Sequence, residues 1–108
     1  MRTENFITLK NENEILRIRS DEILYVTVEG KILTCKTEDE TIFHCTMALN
    51  RLVEELPEYF LRISRSCLVN VKKIKRYYRH KKLVILSDGS EHKVAGRRLK
   101  SLLKYLEG

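Results

Sequence analysis

The first half of the chain alternates apolar and polar residues with the two-residue period of β-strands. Five short runs rich in β-branched and aromatic residues carry this alternation, at residues 6–9, 14–18, 23–28, 32–37 and 41–45. Segments rich in Asn, Asp, Glu and Gly separate the runs. Strand-like runs broken at this spacing predict an antiparallel β-meander.

The period then changes to about 3.6 residues, which is typical of an amphipathic helix. Thr46 is predicted to cap a middle helix that ends at Pro57. Its apolar side consists of Met47, Leu49, Leu52, Val53 and Leu56. A second helix is predicted at residues 96–106, with a stripe of four leucines opposite a basic side. Between the helices, strands are predicted at residues 61–71, 74–78, 83–86 and about 92–94, with a tight hairpin turn at Asp88 and Gly89.

Length and composition narrow the class of protein. A chain of 108 residues with 43% hydrophobic residues predicts a single folded domain over residues 1–108. The apolar stretches are too short to span a membrane. The three cysteines include no CxxC pair, which argues against a zinc site or a disulfide framework and favours a cytoplasmic protein. No catalytic motif or cofactor loop is recognised, so neither enzymatic activity nor a cofactor is expected, and Cys67 is interpreted as a small buried hydrophobe.

The basic charge is concentrated in one half of the chain. Residues 1–54 carry 7 basic and 10 acidic side chains, whereas residues 55–108 carry 14 and 5. Such an asymmetry favours a polyanionic partner, with nucleic acid first and an anionic membrane second. A solvated basic face without a partner is the alternative on composition alone.

The segment at residues 61–70 breaks the strand pattern at Arg65. Strict alternation would bury Arg65 together with Ile63 and Cys67, and a buried unpaired guanidinium is costly. Either an acidic side chain lies beneath Arg65, or the strand is interrupted at residues 64–66 and Arg65 projects outward. The scarcity of acidic residues in this half favours the interruption. The next segment, residues 72–82, holds seven Lys or Arg side chains and is either a nucleic-acid surface or a solvated hairpin.

Four segments together resemble the LytTR DNA-binding domain family. The first is the run from Phe60 to Ile74, FLRISRSCLVNVKKI, which resembles the family signature. The others are residues 21–26, the middle helix ending at Leu56 and Pro57, and residues 94–98. They occur in the family's order over nearly the whole chain. Three positions differ from the usual family residues: Ser64 replaces His, Cys67 replaces an aromatic residue, and Gly96 replaces a common Ser.

The resemblance implies an elongated, mostly β (α+β) fold of about nine to ten short strands in antiparallel sheets, with one middle and one C-terminal helix. It also implies loops that enter successive major grooves of bacterial promoter DNA. Such domains usually follow the receiver domain of a response regulator, so this chain is expected to be either an excised effector domain or a stand-alone member. Carried over by position, the base-reading candidates are Lys31, Arg65 and Arg97, because Lys and Arg suit the guanine edge. The phosphate candidates are Arg62, Ser64, Ser66 and Arg98.

The sequence leaves three classes of function open. The first is sequence-specific binding to double-stranded promoter DNA, at repeated sites and with a homodimer on DNA as one arrangement. The second is a small β-fold protein that binds RNA or single strands, and the third is a basic protein-interaction module. No metal site and no membrane partner are expected. Competition between duplex DNA and RNA separates the first two classes, and the third predicts no salt-sensitive binding to nucleic acid.

Overall fold

The structure, a computed structural model, describes residues 5–108. Within this range the chain forms ten β-strands, two α-helices and three short 3₁₀ turns. The strands are β1 (Phe6–Lys10), β2 (Ile15–Arg19), β3 (Ile23–Glu29), β4 (Ile32–Thr37), β5 (Ile42–Thr46), β6 (Phe60–Ser64), β7 (Cys67–Asn70), β8 (Ile74–Tyr78), β9 (Leu83–Leu86) and β10 (Glu91–Lys93). The helices are α1 (Leu49–Val53) and α2 (Leu99–Glu107), and the 3₁₀ turns are Ser20–Glu22, Val71–Lys73 and Gly96–Arg98.

The described strands form three antiparallel sheets. The central sheet has five strands in the order β5-β4-β3-β7-β6, and the two outer sheets are the β1-β2 hairpin and the three-stranded sheet β10-β9-β8. The predicted mostly β class with two helices is confirmed. The molecule measures 42 × 39 × 24 Å along its principal axes, so it is thin in one direction.

The central sheet is covered on both faces, which explains why β7 is buried along its whole length. On one face, Leu68 packs in a cluster with the apolar residues of β1, β2 and α1. On the other face, Cys67 and Val69 pack against β9 and α2, including Val84 and Leu102. Alternate residues of one short strand therefore join two separate hydrophobic clusters. Both clusters therefore include residues of the central sheet.

The middle helix is shorter than predicted and is not capped by Thr46. Thr46 is the last residue of β5, where it pairs with Ile32, and the N-cap residue of α1 is Ala48, whose side chain offers no cap hydrogen bond. The prediction for Thr46 is wrong because the β4-β5 pairing extends the strand to this residue. Val53 was also predicted on the apolar side, yet it is exposed, whereas Leu52 is fully buried.

The predicted strand at residues 61–71 is divided by a tight turn. β6 ends at Ser64, Arg65 and Ser66 form the turn, and Ser64 pairs with Cys67 at the start of β7. A shift of register between Arg62 and Ser64 marks a bulge in β6. Arg65 is exposed, so the interrupted strand is the correct alternative of the two that the sequence left open.

The C-terminal helix begins with a 3₁₀ turn. Gly96–Arg98 forms this turn, and the α-helical part starts at Leu99. Of the leucine stripe, Leu102 is fully buried, while Leu106 is 38% exposed. Neither of the helices in the described part of the chain is long and apolar enough to cross a membrane.

Candidate nucleic-acid interface

The pairing of β3 with β7 brings two turns to the same edge of the central sheet. The strands are antiparallel, with Thr27 opposite Cys67, and the backbone N–H of Val28 donates to the carbonyl of Ser66 at 2.9 Å. The β3–β4 turn formed by Gly30 and Lys31 therefore lies beside the β6–β7 turn formed by Arg65 and Ser66. With one strand spacing of roughly 4.8 Å, the centres of the two turns are about 10 Å apart.

A third turn, Gly96–Arg98, lies beside these two turns because the loop before α2 binds β6. The backbone N–H of Ala95 donates to the carbonyl of Ile63 at 2.8 Å, which places the 3₁₀ turn Gly96–Arg98 next to the end of β6. We call the row formed by Gly30 and Lys31, by Arg65 and Ser66, and by Gly96–Arg98 the arginine edge. Segments far apart in the sequence thus meet because the sheet order places their turns side by side.

The three predicted base-reading residues all lie on the arginine edge. Lys31, Arg65 and Arg97 are exposed, and within residues 5–108 none of their side chains makes a hydrogen bond or ion pair. Gly30 makes the first turn tight, because its φ of +63° is a left-handed conformation that glycine adopts without steric cost. Arg98 is half-buried, in contrast to its neighbour Arg97. The edge thus presents three long cationic side chains to solvent.

The side chain of Arg62, which was predicted to contact phosphate, binds other residues of the protein. Its Nη2 donates to the backbone carbonyl of Arg65 at 2.7 Å, and its Nη1 donates to Oδ1 of Asn50 in α1. The guanidinium therefore joins the β6–β7 turn to the middle helix. Sequence reasoning missed Asn50, and the available signal was only its place on the polar side of the predicted helix.

The two serines of the signature differ in their surroundings. The hydroxyl oxygen of Ser64 accepts a hydrogen bond from the backbone N–H of Ser66 at 3.3 Å. Ser64 is half-buried, while Ser66 is exposed at the tip of the turn. The Ser64 side chain thus helps to shape the turn, and the Ser66 hydroxyl faces solvent.

The other ends of the strands form a second edge, which carries acidic as well as basic side chains. It contains the 3₁₀ turns Ser20–Glu22 and Val71–Lys73, the β4–β5 turn at residues 38–40 and the β9–β10 turn at residues 87–90. The backbone N–H of Glu38 donates to the carbonyl of Glu22, and that of Ser87 donates to the carbonyl of Lys73, both at 2.9 Å. We call these segments the opposite edge.

An ion pair on the opposite edge links two sheets. Nζ of Lys36 lies 3.0 Å from Oδ2 of Asp88, and both side chains are almost covered, at 13% and 10% exposed. Burial tends to raise the pKa of Asp88, but hydrogen bonds from the hydroxyl and backbone N–H of Ser90, together with Lys36, outweigh it and lower the pKa to about 2. Asp88 was predicted only as a turn residue, since no sequence pattern reveals a partner 52 positions away.

His92 continues this polar cluster toward the interior. Its Nε2 lies 2.9 Å from the hydroxyl of Ser90, and its ring centroid lies 4.4 Å from that of Tyr25. Burial lowers the pKa of His92, although Asp88 acts in the opposite direction. Sγ of Cys67 is 3.9 Å from Nδ1 of His92, but burial raises the pKa of this thiol to about 12. Cys67 therefore stays protonated at neutral pH and is a buried apolar residue, as predicted.

The basic segment at residues 72–82 divides between the two ends of the β8–β9 hairpin. Nζ of Lys72 lies 4.1 Å from the centroid of the Tyr59 ring, and Lys73 forms an ion pair with Glu38. Both lysines belong to the opposite edge. The β8–β9 turn at residues 79–82 is at the other end of its hairpin.

Within residues 5–108, no cluster of His, Cys, Asp or Glu side chains suited to a metal ion is found.

Comparison with known proteins identifies the family. The family model of the LytTr DNA-binding domain matches residues 13–107. A solved LytTr DNA-binding domain, from a putative methyl-accepting/DNA response regulator of Bacillus cereus, is similar in fold, with a TM-score of 0.82 and 24% sequence identity over 96% of this chain and 98% of that chain. No curated protein matches the sequence. Since the family model covers most of its length, the chain belongs to the LytTr DNA-binding domain family, and it binds DNA in the regulation of transcription.

Proposed function

We propose that the arginine edge lies against double-stranded promoter DNA and reads its sequence through Lys31, Arg65 and Arg97. The observation that carries this proposal is the meeting of three exposed cationic side chains from distant parts of the chain on one edge. Arg and Lys are the side chains best suited to the O6 and N7 acceptors of guanine in the major groove. In this proposal the row of turns lies along one side of the duplex, and its outer turns enter successive major grooves.

The phosphate contacts come from the flanks of the same turns. Ser66 and Arg98 lie next to the base-reading residues Arg65 and Arg97, and Ser64 supports the turn from inside. Such contacts fix the register of a protein on DNA without carrying sequence information. For Arg62 the proposal changes from a phosphate contact to a positioning role, because its guanidinium already binds Asn50 and the carbonyl of Arg65.

Residues 1–108 act as one domain in this proposal. The two hydrophobic clusters lie on the two faces of one central sheet, and each takes in a residue from the other part of the chain, Leu68 in the first cluster and Leu24 in the second. Two copies of the domain bind repeated sites, as a pair on the DNA. Titration of a duplex with one repeat and of a duplex with two repeats checks this, since the proposal predicts one and two bound copies respectively.

Selection of bound duplexes from a random pool tests sequence-specific binding. The proposal predicts that the selected duplexes share a repeated motif with guanines in the positions read by the arginine edge. If about five phosphates are neutralised, log K falls with log salt at a slope of roughly −4 to −5. A pool that yields no motif, or affinity that does not change with salt, contradicts the proposal.

Competition between nucleic acids separates the remaining classes of function. Duplex DNA of the selected sequence is expected to displace a labelled duplex at a much lower concentration than RNA or single-stranded DNA of the same sequence. Preferential displacement by RNA or a single strand would favour the small β-fold RNA or single-strand binder. Absence of salt-sensitive binding to any nucleic acid would favour the basic protein-interaction module.

A further inference from the structure

The β8–β9 turn lies beside the arginine edge, although it is no part of the three predicted reading turns. The backbone N–H of Val94 donates to the carbonyl of Lys82 at 2.9 Å, and the next residue, Ala95, donates to Ile63 of β6 at 2.8 Å. Through these two hydrogen bonds, the turn at residues 79–82 neighbours the segment that leads directly into Gly96 and Arg97. A duplex lying against Arg97 therefore passes close to this turn.

Three of the four side chains of this turn, those of Arg79, Lys81 and Lys82, are cationic, and only some of them contact other residues of the protein. All four residues are Arg, His or Lys, and all are exposed. Nη2 of Arg79 pairs with Glu107 at 3.2 Å, and Nζ of Lys81 lies 5.9 Å from the centroid of the Tyr78 ring. The side chain of Lys82 makes no hydrogen bond or ion pair with any other residue in the range 5–108. Lys82, whose backbone carbonyl is bound by the segment that leads to the arginine edge, is thus the residue of this turn whose charge is left for a ligand.

The backbone of Lys82 adopts a conformation that lysine does not favour. Its φ of +54° is in the left-handed region, which glycine and asparagine adopt often and other residues adopt uncommonly. A lysine in this position is a reason to look for a function of its side chain, because a Gly or Asn would close the hairpin at lower cost. Attraction to a polyanion is a function that a lysine provides and that neither glycine nor asparagine can provide.

We propose that the β8–β9 turn is a fourth DNA-contacting element, in which Lys82 and Lys81 bind the phosphate backbone next to the groove entered by Arg97. This inference rests on the proposed function and extends it. It also assigns the two ends of the basic segment 72–82 to different tasks. The end at Lys72 and Lys73 binds within the protein, and the end at Lys82 binds DNA.

The variant Lys82→Asn tests the proposal, because it removes the charge and relieves the backbone at the same time. The slope of log K against log salt is expected to become shallower by about one unit, on the selected duplex and on a random duplex alike. The melting temperature is expected to stay the same or to rise. Lys81→Gln is expected to reduce the slope in the same way, and Lys82→Arg to keep it at the wild-type value.

Two matched controls come from the opposite edge. Glu40 is the other described non-glycine residue with a left-handed backbone, with φ of 73°, so Glu40→Asn repeats the change of backbone preference away from the proposed contact. Lys72→Gln repeats the loss of one positive charge there. Both are expected to leave the salt slope unchanged. A wild-type slope in Lys82→Asn and Lys81→Gln overturns the inference alone, whereas a wild-type protein without salt-sensitive duplex binding overturns the proposed function itself.

Discussion

The two edges of the central sheet differ in charge and in how their charges are used. On the arginine edge, Lys31, Arg65 and Arg97 are exposed and make no ion pair within the described range 5–108. On the opposite edge, lysines pair with carboxylates, as Lys36 does with Asp88 and Lys73 with Glu38. Charges bound to each other stabilise the fold, whereas charges left in solvent are available to a ligand.

The antiparallel topology produces this separation. Successive turns of a meander alternate between the two ends of the sheet, so the β3–β4, β6–β7 and β8–β9 turns lie on one side. The β4–β5 and β9–β10 turns lie on the other side. The excess of basic residues in the second half of the sequence is therefore only a partial guide, because the decisive division follows the alternation of turns.

The largest expected effect on binding is that of Arg65→Ala. Loss of one base contact is expected to cost about 1–3 kcal/mol on the selected duplex and much less on a random one. The melting temperature is expected to change little, because the side chain is exposed. Anisotropy titrations on both duplexes measure the difference. Equal losses on the two duplexes would show that Arg65 contacts phosphate only, and unchanged binding would remove it from the interface.

The largest expected effect on stability comes from the opposite edge. Asp88→Asn removes the ion pair with Lys36 and is expected to lower the free energy of unfolding by about 1–2 kcal/mol at pH 7. Since the pKa of Asp88 is lowered to about 2, the wild-type advantage is complete above about pH 4. It disappears as the pH falls toward 2, which chemical denaturation at several pH values measures. DNA binding by the folded variant is expected to equal wild type.

A smaller effect separates two neighbouring arginines at the start of α2. Arg97 is exposed and Arg98 is half-buried. Arg97→Ala is expected to relax the sequence preference, and Arg98→Ala to weaken specific and random duplexes alike while reducing the salt slope by about one unit. Salt titrations of both variants on both duplexes decide between the roles. Reversed roles, or no effect of either change, would contradict the assignment.

The smallest expected effect is a dependence of stability on pH caused by His92. Because burial lowers the pKa of His92, its neutral form is favoured by folding. Its contribution is complete above the unfolded pKa of about 6.5 and is lost as the pH falls through the lower folded value. His92→Gln is expected to flatten the stability curve below about pH 6.5. A curve with the wild-type slope in this variant would show that another group titrates there.

The strands were predictable from the sequence, while their interruptions and partners were less so. The alternation at residues 23–28 and 32–37 coincides with β3 and β4, because each strand has a repeating apolar side. The cap at Thr46 was wrong, since the pairing of this residue with Ile32 is a tertiary contact that outweighs local preference.

For the candidate site, sequence indicated the exposed arginines but not the contacts that position them. Arg65 interrupts the apolar alternation of its strand, which indicates an outward position, and in the structure it lies in the exposed β6–β7 turn. Arg62 gave no comparable signal, because its partners are a backbone carbonyl and Asn50, which lies in a different element. Long-range pairs such as Lys36 and Asp88 were likewise invisible, since nothing in their local sequence depends on the other.

Mapping of the DNA contact on backbone amides by NMR tests the central claim most directly. On titration with the selected duplex, the account predicts the largest shift changes at Gly30, Lys31, Arg65, Ser66 and Arg97. The amides of residues 38–40 and 87–90 on the opposite edge are expected to remain nearly unchanged at the same concentrations. Shift changes concentrated on the opposite edge, with the arginine edge unaffected, would contradict the account.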